Sequence, residues 1–345
     1  MSSTPSIALS PGRRAWQRFR RNRIGFASFW ALLALLVLSL GAELISNDRP
    51  FIAVYDGQWT FPVLHNPPER AYGGDFDTPT DWKDPFIARQ FAKPGNWRLQ
   101  TLNRHSADSV NSFQREPNPA PPSGVNWLGT DEAGRDMVAG LLYGFRVSLL
   151  FGLALTAVGT AIGLAMGALQ GYFGGRVDLG LQRLIEVWAS IPELYLLIIF
   201  ASIFAPSFLL LLVLLSLFGW IGLSDYVRAE FLRNRGLEFV KAARALGLSS
   251  GQIIWRHVLP NSLTPVITFL PFRMSDAILV LVALDFLGLG VPPGTPSLGD
   301  LVRQGKSNLD AWWIIVPTFA ALTITLLLLT FIGEALRDAF DTRKP

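Results

Sequence analysis

Six runs of apolar residues punctuate the chain. A hydrocarbon core about 30 Å thick takes about 20 apolar residues of helix, and the spacing predicts a membrane span at each run. The first is Ile24–Ile45, with Leu32 to Leu38 at its centre. Glu43 closes it and no small-residue cleavage site follows, so it reads as an anchor and not a leader. The others are Val147–Leu169, Leu184–Phe204, the short Phe208–Gly222, a run within Thr264–Leu289 broken up by Pro265 and Pro271, and Trp312–Ile332. The expected fold is therefore an all-α integral membrane protein with six transmembrane helices, both ends on one side.

The polar segments between the runs orient it. Arg13, Arg14, Arg18, Arg20, Arg21 and Arg23 precede the first run with no acid among them. Arg228, Arg233, Arg235, Lys241, Arg244 and Arg256 lie between the fourth and fifth runs, against Asp225, Glu230 and Glu238. Arg337, Arg343 and Lys344 follow the sixth. Basic loops stay cytoplasmic, which predicts both termini inside and Asn47–Gly140 outside. The expected division is a cytoplasmic basic N-terminus (1–23), a first span (24–46), an extracytoplasmic lobe (47–140), a five-span core (141–335) carrying a cytoplasmic loop (224–261), and a cytoplasmic tail (336–345). The outer segment is rich in Pro, Gly, Asn and Asp, as in Asn66-Pro67-Pro68 and Pro117-Asn118-Pro119, yet holds Phe51, Tyr55, Trp59, Phe61, Trp82, Phe86, Phe91 and Trp97. No helical or strand period persists through it, so a small, irregular, turn-rich lobe is expected there.

Composition agrees with a membrane protein. Charged residues make up 16% of the 345, against about 25% in soluble chains. The chain has no cysteine, which excludes disulfides, zinc–thiolate sites, iron–sulfur clusters and thiol nucleophiles. His65, His105 and His257 are too scattered for a histidine metal site, so no metal is expected. Net charge is only +4, and the basic N-terminus beside a span is a topology signal that meets anionic lipid, not a nucleic-acid site. The nearest approach to a phosphate loop is Gly299–Ser307, but five residues separate its glycines where G-x-x-x-x-G-K-[ST] needs four. No cofactor is expected, and any ATP must be used by another chain.

Four features remain as candidate chemistry. Gly159, Gly163, Gly167 and Gly171 recur every fourth residue on the second span and form a helix-packing face. Glu186 and Glu193 lie seven apart on the third span with Pro192 between them, and Asp276 and Asp285 lie on the fifth. Carboxylates inside spans are costly. They read either as the polar lining of a passage or as interfacial groups paired with Arg183 or Arg273. In the cytoplasmic loop, Phe239, Ala242, Ala243 and Leu246 form an apolar stripe, Gly247 ends the helix, and Ser249 with Gln252 offers a capping box. A second short helix runs to His257, and Leu259-Pro260 breaks it before the fifth span. This hook reads either as an amphipathic helix on lipid or as a knob for a partner's groove.

The hook resembles the signature loop of permease subunits in bacterial ABC importers, E-A-A, three residues, Gly, nine residues, Ile, one residue, Leu-Pro. Lys241, Ala242, Ala243, Arg244, Gly247, His257, Leu259 and Pro260 occupy that register, with Lys241 and His257 in the form usual for the dipeptide/oligopeptide branch. Trp127–Asp136 with Tyr143–Leu149, and Phe286–Pro293 with Pro296–Gly299 and Ala311–Trp313, resemble the same branch. Gly73–Phe76, Thr80–Pro85 and Leu284-Asp285-Phe286 are similar to its subgroup linked to peptide and microcin C uptake. The resemblance implies a type I, MetI-like transmembrane domain in the inner membrane. It implies a second, different permease, ABC ATPase subunits docked on the cytoplasmic hooks, and an extracytoplasmic substrate-binding protein. It also implies import of peptides or peptide-like compounds by alternating access, with no bond made or broken in the cargo. The alternatives are a self-contained secondary peptide transporter, which needs an internal repeat and a complete ion site, and a membrane-anchored outer-face receptor.

Overall fold

In hydrocarbon every backbone N–H and C=O must be paired within the chain, and the apolar runs answer with helix. The structure, a computed structural model, describes residues 11–110 and 116–341; Arg343 and Lys344 of the basic tail lie outside them. Helices α1 (Pro11–Arg21) and α2 (Arg23–Leu40) meet at Asn22, whose side chain accepts from the Gly25 amide at 3.0 Å. The first run is not one helix to Ile45: α2 stops before Gly41 and α3 (Ala42–Ile45) completes it. The segment after the first run then forms β1 (Ile52–Tyr55), β2 (Gln58–Thr60), α4 (Pro85–Gln90) and β3 (Trp97–Leu99).

Next come α5 (Met137–Phe173), α6 (Gly175–Ala189), α7 (Glu193–Ile203), α8 (Phe208–Ser216), α9 (Ile221–Asn234), α10 (Glu238–Ala245) and α11 (Ser250–Ile253). Finally, α12 (Leu259–Phe286), α13 (Leu298–Ser307) and α14 (Trp312–Phe340) complete the chain. By length and composition α2, α5, the continuous Ser250–Phe286 and α14 can each cross a membrane, and the bent pairs α6–α7 and α8–α9 raise the number of spans to six.

Three expectations need correction. The third span is broken, with α6 and α7 bent by 62°. Pro192 removes an amide and pushes Ile191 out of the helical region, so the helix stops and restarts at Glu193. The fourth run is also bent, by 40°, at Leu217–Trp220. The carbonyls freed there are met by side chains: Leu217 O accepts from the indoles of Trp188 at 2.9 Å and Trp220 at 2.8 Å, and Gly219 O accepts from Arg273. Third, neither Leu259-Pro260 nor Pro265 and Pro271 breaks the fifth span. A π turn over Ile254–Val258 joins α11 to α12, and α12 continues through both inner prolines.

The chain divides into two compact units, 1–33 with 149–292 and 323–345, and 34–148 with 293–322. In the first, the glycine face of α5 lies directly on the α8–α9 region. A Cβ at Gly163 would stand 3.0 Å from Trp220 O, at Gly167 2.5 Å from Ser224 O, and at Gly171 2.6 Å from Arg228 O. At Gly159 it would stand 3.2 Å from Gly219 O. Arg228 of α9 grips Asp178 of α6 with two bonds of 2.5 and 2.8 Å. Near the chain ends, Phe19 packs with Ala335 and Ala339, and Arg18 donates to Asp341 O at 2.8 Å, so α1 and the end of α14 lie side by side.

The second unit holds the lobe expected at 47–140, which is less irregular than its sequence implies. Asp56 and Gly57 turn at φ 48° and 78°, the left-handed pair that a two-residue hairpin needs. They join β1 to β2, and β3 pairs on the other edge of β1, giving an antiparallel sheet ordered β2-β1-β3. Ala53, Tyr72, Trp82, Ile87 and Phe91 form its core. Strands of three or four residues are too short to reveal a period, and Asp56-Gly57 was the signal available. The Trp127–Asp136 stretch fastens the lobe to α5. Asp136 accepts from Asn103 at 2.7 Å, Asn126 at 2.9 Å and the Ala139 amide at 2.9 Å, which caps the start of α5. Gly299–Ser307 lies within α13, a helix capped by Ser297, and not in a phosphate loop.

Candidate functional site

Two places gather the residues singled out above, both in the first unit. One is the hook. Gly247 sits at φ +81°, just past the end of α10. Leu248 N donates to Ala243 O at 3.2 Å and Gly247 N to Arg244 O at 3.0 Å, the paired bonds of a Schellman turn, which only a left-handed residue allows. Ser249 then caps α11, with Gln252 N on its hydroxyl at 3.4 Å and its own amide on Gln252 Oε1 at 2.9 Å. The turn therefore sets the angle between α10 and the helix that continues into α12.

The stripe on α10 is divided between two faces. Val240 and Ala243 are buried with Ile253, Val258, Phe231 and Tyr172, which welds the hook to α5 and α9. Phe239, Ala242 and Leu246 face outward, so of the expected apolar stripe Ala243 alone turns into the core. A sequence stripe identifies an apolar side, whereas the core here takes the adjacent strip that includes Val240. Leu246 is 80% and Trp255 72% exposed, large apolar groups carried on a rigid base. Trp255 was missed by sequence reasoning, although an indole in a basic loop was a usable signal.

Around this knob Lys241 pairs with Glu238 at 2.8 Å in the open, and Arg244 lies over the Tyr172 ring at 6.0 Å. His257 offers its carbonyl to Asn261 at 2.7 Å. Leu259 packs against the buried cluster, while Pro260 is exposed in the first turn of α12.

The second place is a cavity of about 210 Å³ lined by Leu155, Thr156, Glu193, Gly219, Arg273 and Asp276 among others. Here the restart of the broken third span meets the bend of the fourth and the middle of α12. The structure brings Glu193 and Asp276 together and adds Arg273, which sequence reasoning treated only as a pairing partner. Its signal was a cation inside an apolar span. Arg273 Nε and Thr156 Oγ1 are buried without a hydrogen-bond partner.

Glu186 does not share a face with Glu193, because the bend at Pro192 lies between them. It pairs with Arg183 at 2.5 Å in an exposed position. Asp285 is buried at the end of α12 and accepts from the Val291 amide at 2.8 Å, so it holds the following loop and does not line the cavity. Among the described residues no cluster of His, Cys, Asp or Glu is arranged to hold a metal ion.

Comparison with known proteins places these features in context. The profile described as "Binding-protein-dependent transport system inner membrane component" matches residues 159–344. A second, "N-terminal TM domain of oligopeptide transport permease C", matches 10–68. The chain is 49% identical to the "Inner membrane ABC transporter permease protein YejE" of Escherichia coli, over 97% of this chain and 98% of that one. It is 47% identical to the "Peptidoglycan transport system permease protein YejE" of Agrobacterium fabrum, over 96% and 93%. Among solved structures it is similar to the inward-facing MetNI methionine ABC transporter, with a TM-score of 0.50 and 18% identity over 59% of this chain and 97% of that chain. That likeness speaks to the fold, a MetI-like type I importer transmembrane domain.

Proposed function

This chain belongs to the family of binding-protein-dependent transport system inner membrane components, and from that premise we propose that it forms half of a translocation pathway for peptides or peptide-like compounds. It is a multi-pass inner-membrane permease subunit of an ABC importer, a transport component and not an enzyme. It works with a second permease and with ATPase chains that hydrolyse the nucleotide. Peptide cargo is supported by the oligopeptide transport permease profile that matches residues 10–68, and the peptidoglycan named for the Agrobacterium relative extends the class to peptide-bearing wall fragments.

Both termini face the cytoplasm in this reading, supported by the arginines of α1, by the basic loop around α10, and by the pairing of α1 with the end of α14. A substrate-binding protein delivers cargo to the outer face. The hook, through Leu246, Trp255 and the outward side of α10, is the ATPase dock, with Lys241, Ala242, Arg244 and His257 around it. The observation that carries this is a rigid hook, packed into its own chain on one side, that presents large apolar groups on the other. Closure of the ATPases moves the hook as a body and, through the glycine face of α5, rocks the broken spans.

Glu193, Arg273 and Asp276 meet the passing cargo at the cavity, whereas Glu186 and Asp285 are left with structural roles. The test is uptake of labelled tripeptides by cells lacking the chain and complemented with variants. Wild type is expected to restore ATP-dependent uptake. Glu193→Gln should lower uptake of a lysine-rich tripeptide about tenfold more than that of tri-alanine, the scale of one lost charge contact. Equal loss for both removes Glu193 from the passage, and uptake that does not depend on the chain removes the import reading.

A further inference from the structure

A cleft of about 1030 Å³ opens in the outer lobe, lined among the described residues by side chains from 48 to 127. Small-molecule sites commonly enclose about 300–1,000 Å³, so this cleft is large enough for a short peptide. Its walls carry Lys83, Arg98 and Arg104 against the carboxylates Asp48 and Glu116. Lys83 Nζ is buried with no hydrogen-bond partner. Burial pulls its ammonium below the usual lysine range, against the opposing pull of Asp48, Asp81 and Asp136. Arg98 spends one bond on Trp82 O at 3.1 Å. Burial, and then the neighbouring charge of Arg104, pulls its guanidinium down.

Two guanidinium groups close enough to disturb one another, beside an unpartnered ammonium, form a site that an arriving anion stabilises. The rim is apolar and open, with Leu102, Val125 and Trp127 all exposed. A concave wall of this kind suits a small terminal carboxylate better than a convex protein surface. The four-carbon stem of Lys83 lets its ammonium swing toward such a group.

We propose that this cleft is a peptide-binding site on the permease itself, in which Lys83 and Arg104 hold the C-terminal carboxylate of a short peptide while the Leu102–Val125–Trp127 rim contacts its side chains. The proposal rests on the peptide reading above and extends it from the passage to the outer lobe.

The full-length chain, with its partner permease in lipid nanodiscs and without the binding protein, is titrated calorimetrically with tri-alanine and with tri-alanine amide. Tri-alanine should bind, and the amide about tenfold or more weaker, the worth of one charge-assisted contact. Arg104→Ala, an exposed position, should weaken tri-alanine about tenfold with an unchanged unfolding temperature, and Lys83→Met should do the same. Equal binding of the two peptides overturns the proposal, as does binding indifferent to both substitutions. Parallel uptake of tri-alanine separates this from the import reading: uptake without cleft binding sinks the cleft alone, and absence of both sinks the two together.

Discussion

Replacing Gly247 isolates the role of the hook, because its effect is purely one of backbone. A Cβ there would meet no atom within 4 Å, so no clash confuses the result. The φ of +81° is the whole constraint. Valine in that region carries about 1–3 kcal/mol of strain, equivalent to a roughly 5- to 150-fold shift away from the native turn. The buried base of Val240, Ala243, Ile253 and Val258 holds. The strain is therefore relieved by unwinding the last turn of α10, which gives up the Leu248–Ala243 bond and moves Leu246.

Asparagine tolerates the left-handed region, and alanine costs about 1 kcal/mol. The ATPase retained by detergent-solubilised chain, at matched expression and with insertion checked by protease protection, is expected to fall in the order Gly, Asn, Ala, Val. Wild-type retention by Gly247→Val would refute the docking role of the turn. Loss in Gly247→Asn equal to that in Gly247→Val would show that the side chain, and not φ, is what matters.

Leu246→Ser and Trp255→Ala remove exposed groups and should reduce ATPase co-purification with no change in thermal unfolding; unchanged co-purification in both would move the dock elsewhere. Ala243→Asp differs, since Ala243 is 5% exposed in the core and an unpaired buried charge costs several kcal/mol. It should lower the unfolding midpoint as well as ATPase retention, and a normal midpoint would contradict the inward placement of Ala243. Gly167→Val would put Cβ 2.5 Å from Ser224 O and 2.7 Å from Val227 Cβ. It should cost about 1–3 kcal/mol by overpacking, whereas Gly180→Ala, with nothing within 4 Å, should be close to neutral. Equal midpoints for the two would undo the close approach of α5 to α9.

Features governed by a local condition were legible along the chain. An apolar run long enough for hydrocarbon becomes helix wherever it packs. Gly247 and the Ser249–Gln252 pair announce a turn and a cap because both are satisfied within a few residues of backbone. The glycines of α5 reveal a packing face by their spacing alone. Tertiary structure decided what those faces meet. A stripe on α10 cannot say which apolar side chains their own chain will cover, and it was Val240, not Leu246, that the core claimed. Seven-residue spacing put Glu186 and Glu193 on one face only while the helix stayed whole, and the bend at Pro192 sent one to Arg183 and the other toward Arg273 and Asp276. Lys83 gave no local sign at all. Its ammonium is left unpartnered by segments from Asp48 to Trp127 closing around it, and the cost of burying a charge depends on everything that surrounds it.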